Sequence, residues 1–575
     1  MKTLLLAMAA LAAGPIDAEN DASPPLPRWS RRPVALAIVD QGRTLLVANS
    51  RSGSLSIVDL ATRRVVDEPR IGRGLAHLAP LGDGRHLLAV DRAGDEVVLI
   101  DVRERSSRVL GRVGVAPDPV RAIAIEGGAV VASTGSRRLT FLHLAPSKAL
   151  TVAGRVELPF APREMAAMPD GRHLVAADAF GGRLAIVDHR RRSVEAIRAI
   201  PAHNIRGMIV SPDGRSLVLA HQYLDRLART TFDDVHWGLL IRNHLRVLPV
   251  EAVFSARDDP GLLVGGRLID LGDVGYAAGD PGAIAFDNQG GLMVGLAGMD
   301  ELAMAAAIGE GPRRVVVGRE PVAVIVDPAG RFAYVADRLD ETVSVVEIAT
   351  GERPSTIALG PTPEPSPADR GERLFTSARL SHDGWMSCQS CHADGQTIGL
   401  TCDTLGDQSY GAPKLIPSLL GVARTKPWTW IGAVDRLDEQ VKKSIATTMH
   451  GTKRTDTEVA DLTAYLASLE PPLPTPDDPA AIARGRAVFE SRKCDQCHEP
   501  PSYTTPKVVD VGLIDEVGHR SFNPPSLRGA GRRDAFLHDG RARSLRDIFT
   551  REHHPRGLIL PPEAINDLMA FLRSL

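Results

Sequence analysis

Aromatic residues make up only 4% of this 575-residue chain, and cysteine occurs five times. A chain of this length has no need of a disulfide framework, and an odd count would leave one thiol over. Charge of one sign is also lacking: 68 Lys and Arg face 70 Asp and Glu, with no long basic run. Nucleic acid is thereby excluded as the main partner. Beyond the first residues no apolar stretch has the length or purity of a membrane span. What is present, 43% hydrophobic and 24% charged residues, is the balance of a globular protein with a sizeable core. The length suffices for three or four average domains, or two if one is a large repeat fold.

The N-terminus carries an address. Lys2 precedes an apolar run from Leu4 to Ala13, then small and polar residues to Ala18. This is a signal-peptide pattern over residues 1–18, and its apolar run is too short to span a bilayer. It predicts export to the periplasm; an uncleaved anchor is the alternative.

All five cysteines lie after residue 380, and four of them form Cys388-Gln-Ser-Cys391-His392 and Cys494-Asp-Gln-Cys497-His498. C-x-x-C-H is the c-type haem attachment motif: two thiols become thioethers and the adjacent imidazole meets iron. Two copies predict two covalently bound haem c groups, with His392 and His498 as iron ligands. Paired zinc-site cysteines sit closer together, and a thioredoxin-like C-x-x-C needs a βαβ setting. Cys402 reads as a buried free thiol.

From about Pro33 to Gly360 the chain repeats itself, as in AIVDQGRTLLVANSRSGSLSIVDL, MAAMPDGRHLVAADAFGGRLAIVDH and VIVDPAGRFAYVADRLDETVSVVEI. Turn glycines are read at Gly42, Gly84, Gly128, Gly171, Gly214, Gly291 and Gly330. A period near 42 with alternating strands and Asp-Gly-type turns predicts a seven-bladed β-propeller over residues 30–362. The one long interval is assigned to an insertion from Leu224 to Asp273. The repeats resemble YVTN-type propellers of exported bacterial proteins, notably in AYVADRLDETVSVVEIATGE.

Pro-rich stretches at 360–367 and 470–479 then mark boundaries. Each remaining part reads as helix, C-x-x-C-H, a middle segment and a closing amphipathic helix. The fold class is therefore multidomain: an all-β propeller followed by two all-α cytochrome c modules, over 366–472 and 478–575. Both modules resemble the di-haem cytochrome c peroxidase family, which includes the methylamine-utilisation di-haem enzymes. The resemblance rests on GERLF from Gly371, the two haem motifs, PSLLG from Pro417, Trp430-Ile-Gly, PSLRG from Pro525 and His538-Asp-Gly-Arg541.

That resemblance implies peroxide chemistry at the first haem and electron entry at the second. It implies Trp430 as the residue between the haems and Gln440 in the distal pocket. The family's acid/base Glu is missing, since the segment reads Thr448-Met449-His450. Met449 ligating the first iron gives a closed electron-transfer haem; an open site with His450 moving the proton is the opposite reading. The loop 393–415 has no His, so the family's removable distal His has no counterpart. At the second haem, register points to His554 as distal ligand, with His553 beside it and His538 near a propionate. The family's interdomain calcium is poorly supported, because its Asn corresponds to Leu415.

On the propeller, His203, Asn204, Arg206, His221, Gln222, Tyr223, His236 and Trp237 form a candidate channel-mouth cluster. It reads as a docking site for a protein or small-molecule substrate, as a copper or zinc site, or as scaffold. The function expected is an exported peroxidase-type di-haem enzyme, fed by a small cytochrome or cupredoxin donor and using hydrogen peroxide. A non-enzymatic electron carrier with both irons six-coordinate, or a propeller interaction module, is the alternative.

Overall fold

The computed structural model describes residues 28–575 except 104, 473 and 476. The signal-peptide expectation at 1–18 lies outside these residues. Seven four-stranded antiparallel sheets follow one another at 33–67, 75–114, 119–157, 162–199, 203–270, 281–316 and 321–358. Every blade uses four consecutive strands. The reason is local. Middle strands such as Thr44–Asn49 and Leu55–Asp59 are apolar at most positions and buried throughout. Fourth strands such as Ser106–Gly114 keep an exposed face. Layers such as Ile57, Leu75, Leu87 and Ile100 fill the space between neighbouring blades.

Among the described residues no strand crosses the seam between the last blade and the first. Side chains pin it instead. Arg31 is fully buried; its Nε and Nη2 donate to Glu68 at 2.9 and 2.8 Å. Its Nη1 donates to the Pro361 carbonyl at 2.9 Å, and its backbone N–H to Glu341 at 2.9 Å. A lysine keeps the charge but loses the fork. Arg31→Lys is therefore expected to cost about 1–2 kcal/mol in urea unfolding.

Two turn positions shift by one residue from the sequence reading. Gly127 and Gly290 hold the left-handed conformation, at φ 73° and 88°, whereas Gly128 opens a strand and Gly291 does not need it. The long interval is also not one insertion. Ser216–Leu224 pairs with Ile241–Pro249, which pairs with Arg267–Asp270, so blade five runs through it. The extra chain falls into two connections: 225–240, carrying α1 (Phe232–His236), and 250–266, carrying α2 (Val250–Ser255) and α3 (Asp259–Leu262).

The C-terminal part is mostly helical, with two short ladders at 401–402/414–415 and 509–510/521–522 that the all-α reading lacks. Its modules are built twice on one plan. α4 (Pro367–Phe375) crosses α7 (Asp456–Ser468), as α8 (Pro479–Ser491) crosses α10 (Pro562–Arg573). A Cβ on Gly371 would stand 2.0 Å from the Asp461 carbonyl, and one on Gly485 would stand 1.9 Å from that of Asp567. Only glycine permits these crossings. The preceding arginines lock them: Arg370 chelates Asp461 at 2.7 Å, and Arg484 chelates Asp567 at 2.7 and 2.9 Å. Phe375 against Tyr465 and Phe489 against Phe571 complete the match.

The helical part sits on one face of the ring, and its first haem motif enters the propeller's polar centre. The helix α5 (Cys388–Cys391) presents Ser390, whose hydroxyl donates to buried Asp280 at 2.7 Å. Asn204 Nδ2 donates to the Ser390 carbonyl at 3.0 Å, and Gln222 Nε2 to its hydroxyl at 3.2 Å. Asn243 holds the Trp385 carbonyl at 2.9 Å. Just past the motif, Asp394 meets Arg163 and Arg206, the latter at 3.0 Å. The second module is tethered through Asp534, which meets Arg183 and, at 2.7 Å, Arg137.

Candidate haem-binding site

One continuous cavity of about 510 Å³ runs through both modules. Cys388, Cys391 and His392 line one part; Cys494, Cys497 and His498 line the other. The motif geometry frees the right atoms. His392 Nδ1 donates to the Pro417 carbonyl at 2.9 Å, and His498 Nδ1 pairs with the Tyr503 carbonyl at 3.2 Å. Each ring is thereby fixed with Nε2 left to bind a metal, as second-shell partners of metal-bound histidines do. Burial pushes both imidazoles down to about 4, so they are neutral donors at neutral pH. Burial also raises the Cys388 thiol to about 12 and that of Cys494 to about 11.

Trp430, Gln440, Met449, His538 and His554 line the same cavity. Trp430 bridges the modules: its Nε1–H donates to the Leu415 carbonyl at 2.7 Å, and its carbonyl accepts from Asn523 N–H at 2.7 Å. Leu415 N–H in turn donates to the His538 carbonyl at 2.6 Å. Gln440 stands on α6 (Leu437–Lys443). Its Nε2 donates to Ser444 at 3.0 Å while its buried Oε1 has no protein partner. A π-turn at Ser444–Thr448 follows and delivers Met449, 3% exposed, into the apolar core around the first motif.

His450 is turned the other way. At φ 49° the backbone reverses after Met449, and His450 Nε2 sits 2.9 Å from the Thr230 carbonyl of the propeller. Its ring faces the propeller and is not among the residues that line the cavity. At the second motif, His554 lines the cavity with a buried, unpartnered Nδ1, whereas His553 points to the Leu558 carbonyl. His538 is stacked on Phe522 at 4.3 Å, and neither of its ring nitrogens has a protein partner.

Sequence reasoning missed Arg533. It is half-buried at the cavity wall, donates to the carbonyls of Ser526 and Arg528, and pairs with no carboxylate among the described residues. Burial depresses it to about 10. A guanidinium at the cavity wall without a carboxylate partner fits the acidic edge of a haem. Together with the orphaned Gln440, His538 and His554 atoms, it makes this cavity chemically suited to two haems. Cys402 is buried beside the first motif, as expected.

Calcium remains unsupported, and the acidic groups that meet between the modules are already paired. Asp407, Asp515 and His519 converge between the modules. Lys414 Nζ stands among them, 2.9 Å from Asp407, 3.0 Å from Asp515 and 2.7 Å from the Ala412 carbonyl. Burial opposes the charge on Asp515, but hydrogen bonds from His519 and Lys414 outweigh it and hold the carboxyl down to about 2. The ammonium supplies the positive charge a divalent ion would bring. Added calcium is therefore expected to leave the melting temperature unchanged, whereas Lys414→Gln lowers stability by about 2 kcal/mol.

The propeller residues proposed for outside ligands are largely used internally. Asn204, Gln222 and Arg206 hold the first module, and His203 and His221 lie buried beneath it, pushed by burial down to about 3. His236 alone of these histidines has co-ligands of metal-binding type within reach.

Comparison with known proteins agrees with this geometry. Residues 366–473 match the family described as di-haem cytochrome c peroxidase. The methylamine utilization protein MauG of Methylorubrum extorquens is 25% identical over 242 residues, covering 32% of this chain and 68% of that protein. Hydrazine synthase subunit gamma of Kuenenia stuttgartiensis is 25% identical over 271 residues, covering 36% and 76%. Cytochrome c551 peroxidase of Nitrosomonas europaea is 24% identical over 266 residues, covering 36% and 79%. The family match takes in the first attachment motif, and the second module repeats its Arg-Gly, Asp and aromatic helix crossing. Behind its seven-bladed propeller, this chain carries a domain of the di-haem cytochrome c peroxidase family, a family of redox enzymes.

Proposed function

We propose that the protein is an exported, peroxidase-type oxidoreductase that consumes two electrons and two protons for each hydrogen peroxide reduced to water. The observation that carries this reading is the single cavity shared by both attachment motifs, Trp430, Gln440, Met449 and His554. Bound through Cys388, Cys391 and His392, and through Cys494, Cys497 and His498, haem would supply one-electron chemistry and, at the first motif, a Lewis-acidic iron. The chain's residues do the rest. His392 and His498 stay neutral because desolvation disfavours their charged form, and each is tied through Nδ1. Trp430 keeps the two halves in register through Leu415 and Asn523. Gln440 holds its Oε1 free to accept an O–H from a small oxygen substrate, with Nε2 anchored on Ser444.

The electrons come from a small cytochrome or cupredoxin docking outside the cytoplasm, where the N-terminal pattern would send the chain. The propeller serves as the platform that fixes the first motif, since its polar centre is filled by Ser390 and Asp394.

A second reading has its own support. Apart from His392, the cysteine thiols and the Asp407–Lys414 ion pair, no acid or base lines the first half of the cavity among the described residues, and a thioether does. That set suits an electron carrier. Steady-state peroxide consumption by the holoprotein separates the two. Gln440→Ala is expected to lower kcat/KM by ~10²-fold, the usual loss when a fixed polar partner of the reacting group is removed. His450→Gln should leave it unchanged. A wild-type protein inert to peroxide, with both irons low-spin in every redox state, would establish the carrier.

A further inference from the structure

The loop that blade five extends toward the first module ends beside the turn His382–Gly384, and three side chains meet there. His236 Nδ1 lies 3.0 Å from His382 Nε2 and 3.3 Å from Asp383 Oδ2; His382 Nε2 and Asp383 Oδ2 are 3.4 Å apart. Around one ion with bonds of ~2.0–2.1 Å, donor atoms stand roughly 2.9 Å apart at right angles and ~3.4 Å apart in a tetrahedron. The triangle observed spans that range.

We infer that His236, His382 and Asp383 form a mononuclear site for a divalent transition-metal ion, zinc or copper(II), joining the propeller to the first cytochrome module. Two imidazoles and one carboxylate are the donor set such ions prefer; calcium and magnesium require oxygen ligands throughout. The site is built rather than incidental. Asp383 is held at φ 57°, and its Oδ2 also accepts the Gly275 N–H at 3.1 Å. His236 closes α1 on the far side, its carbonyl accepting from Trp385 Nε1 at 3.3 Å. Phe232 and Trp237 flank the imidazoles at 4.8–5.6 Å between ring centres. The three ligands keep 29, 28 and 17% exposure, which leaves one face for water or another ligand.

The position is also suggestive of purpose. His382 N–H donates to the Met449 carbonyl at 2.9 Å, so the ion would sit one residue from the segment that turns Met449 inward and His450 outward. None of the three ligands lines the haem cavity, which makes the site independent of the redox function proposed above.

The test uses full-length holoprotein, treated with a chelator and dialysed, then titrated with zinc alone or copper(II) alone. The expected result is one ion bound per chain, with copper giving an EPR spectrum split by two imidazole nitrogens. His236→Gln and Asp383→Asn lie on different elements, and each should weaken binding at least ~10-fold with haem content unchanged. His553→Gln, on an exposed histidine elsewhere, should bind as the wild type does. No stoichiometric uptake of either ion, or uptake that both substitutions leave intact, would overturn the assignment. The three side chains would then be a hydrogen-bonded contact and nothing more.

Discussion

Replacing Met449 by alanine is expected to raise the rate at which hydrogen peroxide oxidises the reduced holoprotein by ~10²-fold. The reasoning is one of occupancy. Met449 is the thioether that the π-turn places in the first half of the cavity, buried among Phe375, Met386 and Val441. Were an iron held by His392, a thioether in this part of the cavity would compete with an incoming ligand for it. If the open form is ~1% populated, the apparent affinity for a small ligand is reduced by that fraction, and removing the competitor restores it. Stopped-flow absorption on reduced protein reads the rate, and EPR of the oxidised protein reads the companion change from low-spin to high-spin. Unchanged EPR in Met449→Ala would remove the thioether from the coordination sphere. The opposite signs expected for Met449→Ala and Gln440→Ala keep a packing defect from passing for either result.

Much of this architecture is legible in the residues, and the gaps have physical causes. The blades show because each closes locally, so the period and the turn glycines repeat. The error at Gly128 and Gly291 arises because a Gly-Gly pair offers two candidates for one left-handed position. Blade five is hidden because its third strand lies between two added connections and its fourth follows the second, which stretches the spacing without removing a strand. The attachment motifs are contiguous and needed no fold. Met449 and His450 are different. They are neighbours in sequence that a single positive φ sends to opposite sides, and no pattern of residue types announces that reversal.

The interface was least legible of all. Gln222, Asn204 and Arg206 could be picked out as a polar cluster, but their partners lie about 170 to 190 residues away, inside and just after a haem motif. Nothing local links Ser390 to Asp280, or Asp394 to a pair of arginines from two blades. A motif such as C-x-x-C-H fixes its cysteines and histidine chemically and leaves the residues between and after them free. Here those free positions, Ser390 and Asp394, are the ones that dock the module.

Asp394→Asn is accordingly expected to loosen the propeller from the first module, at a cost of about 3–5 kcal/mol, the range found when one partner of a largely buried ion pair is removed. The substitution keeps the shape and removes the charge, leaving Arg163 and Arg206 facing one another. Burial works against the Asp394 carboxylate, but Arg163, Arg206 and Arg92 overcome it and hold the group far below the usual carboxylate range. The side chain keeps 26% exposure, which places the cost toward the lower end of that range. The pH dependence follows from the sign. A carboxyl whose folded pKa is depressed contributes its full stabilisation above the unfolded value of ~3.9 and loses it only as pH falls through the folded one. The difference in stability between wild type and Asp394→Asn should therefore be constant from pH 5 to 8 and shrink only below about pH 4. Calorimetry across that range measures it, and limited proteolysis in the linker 360–366 reports the undocking directly. A difference that vanished near neutral pH would mean that Asp394 is not the clamp. Since Asp394 stands two residues after His392, the same variant is expected to broaden the EPR signal of the first centre and leave that of the second unchanged.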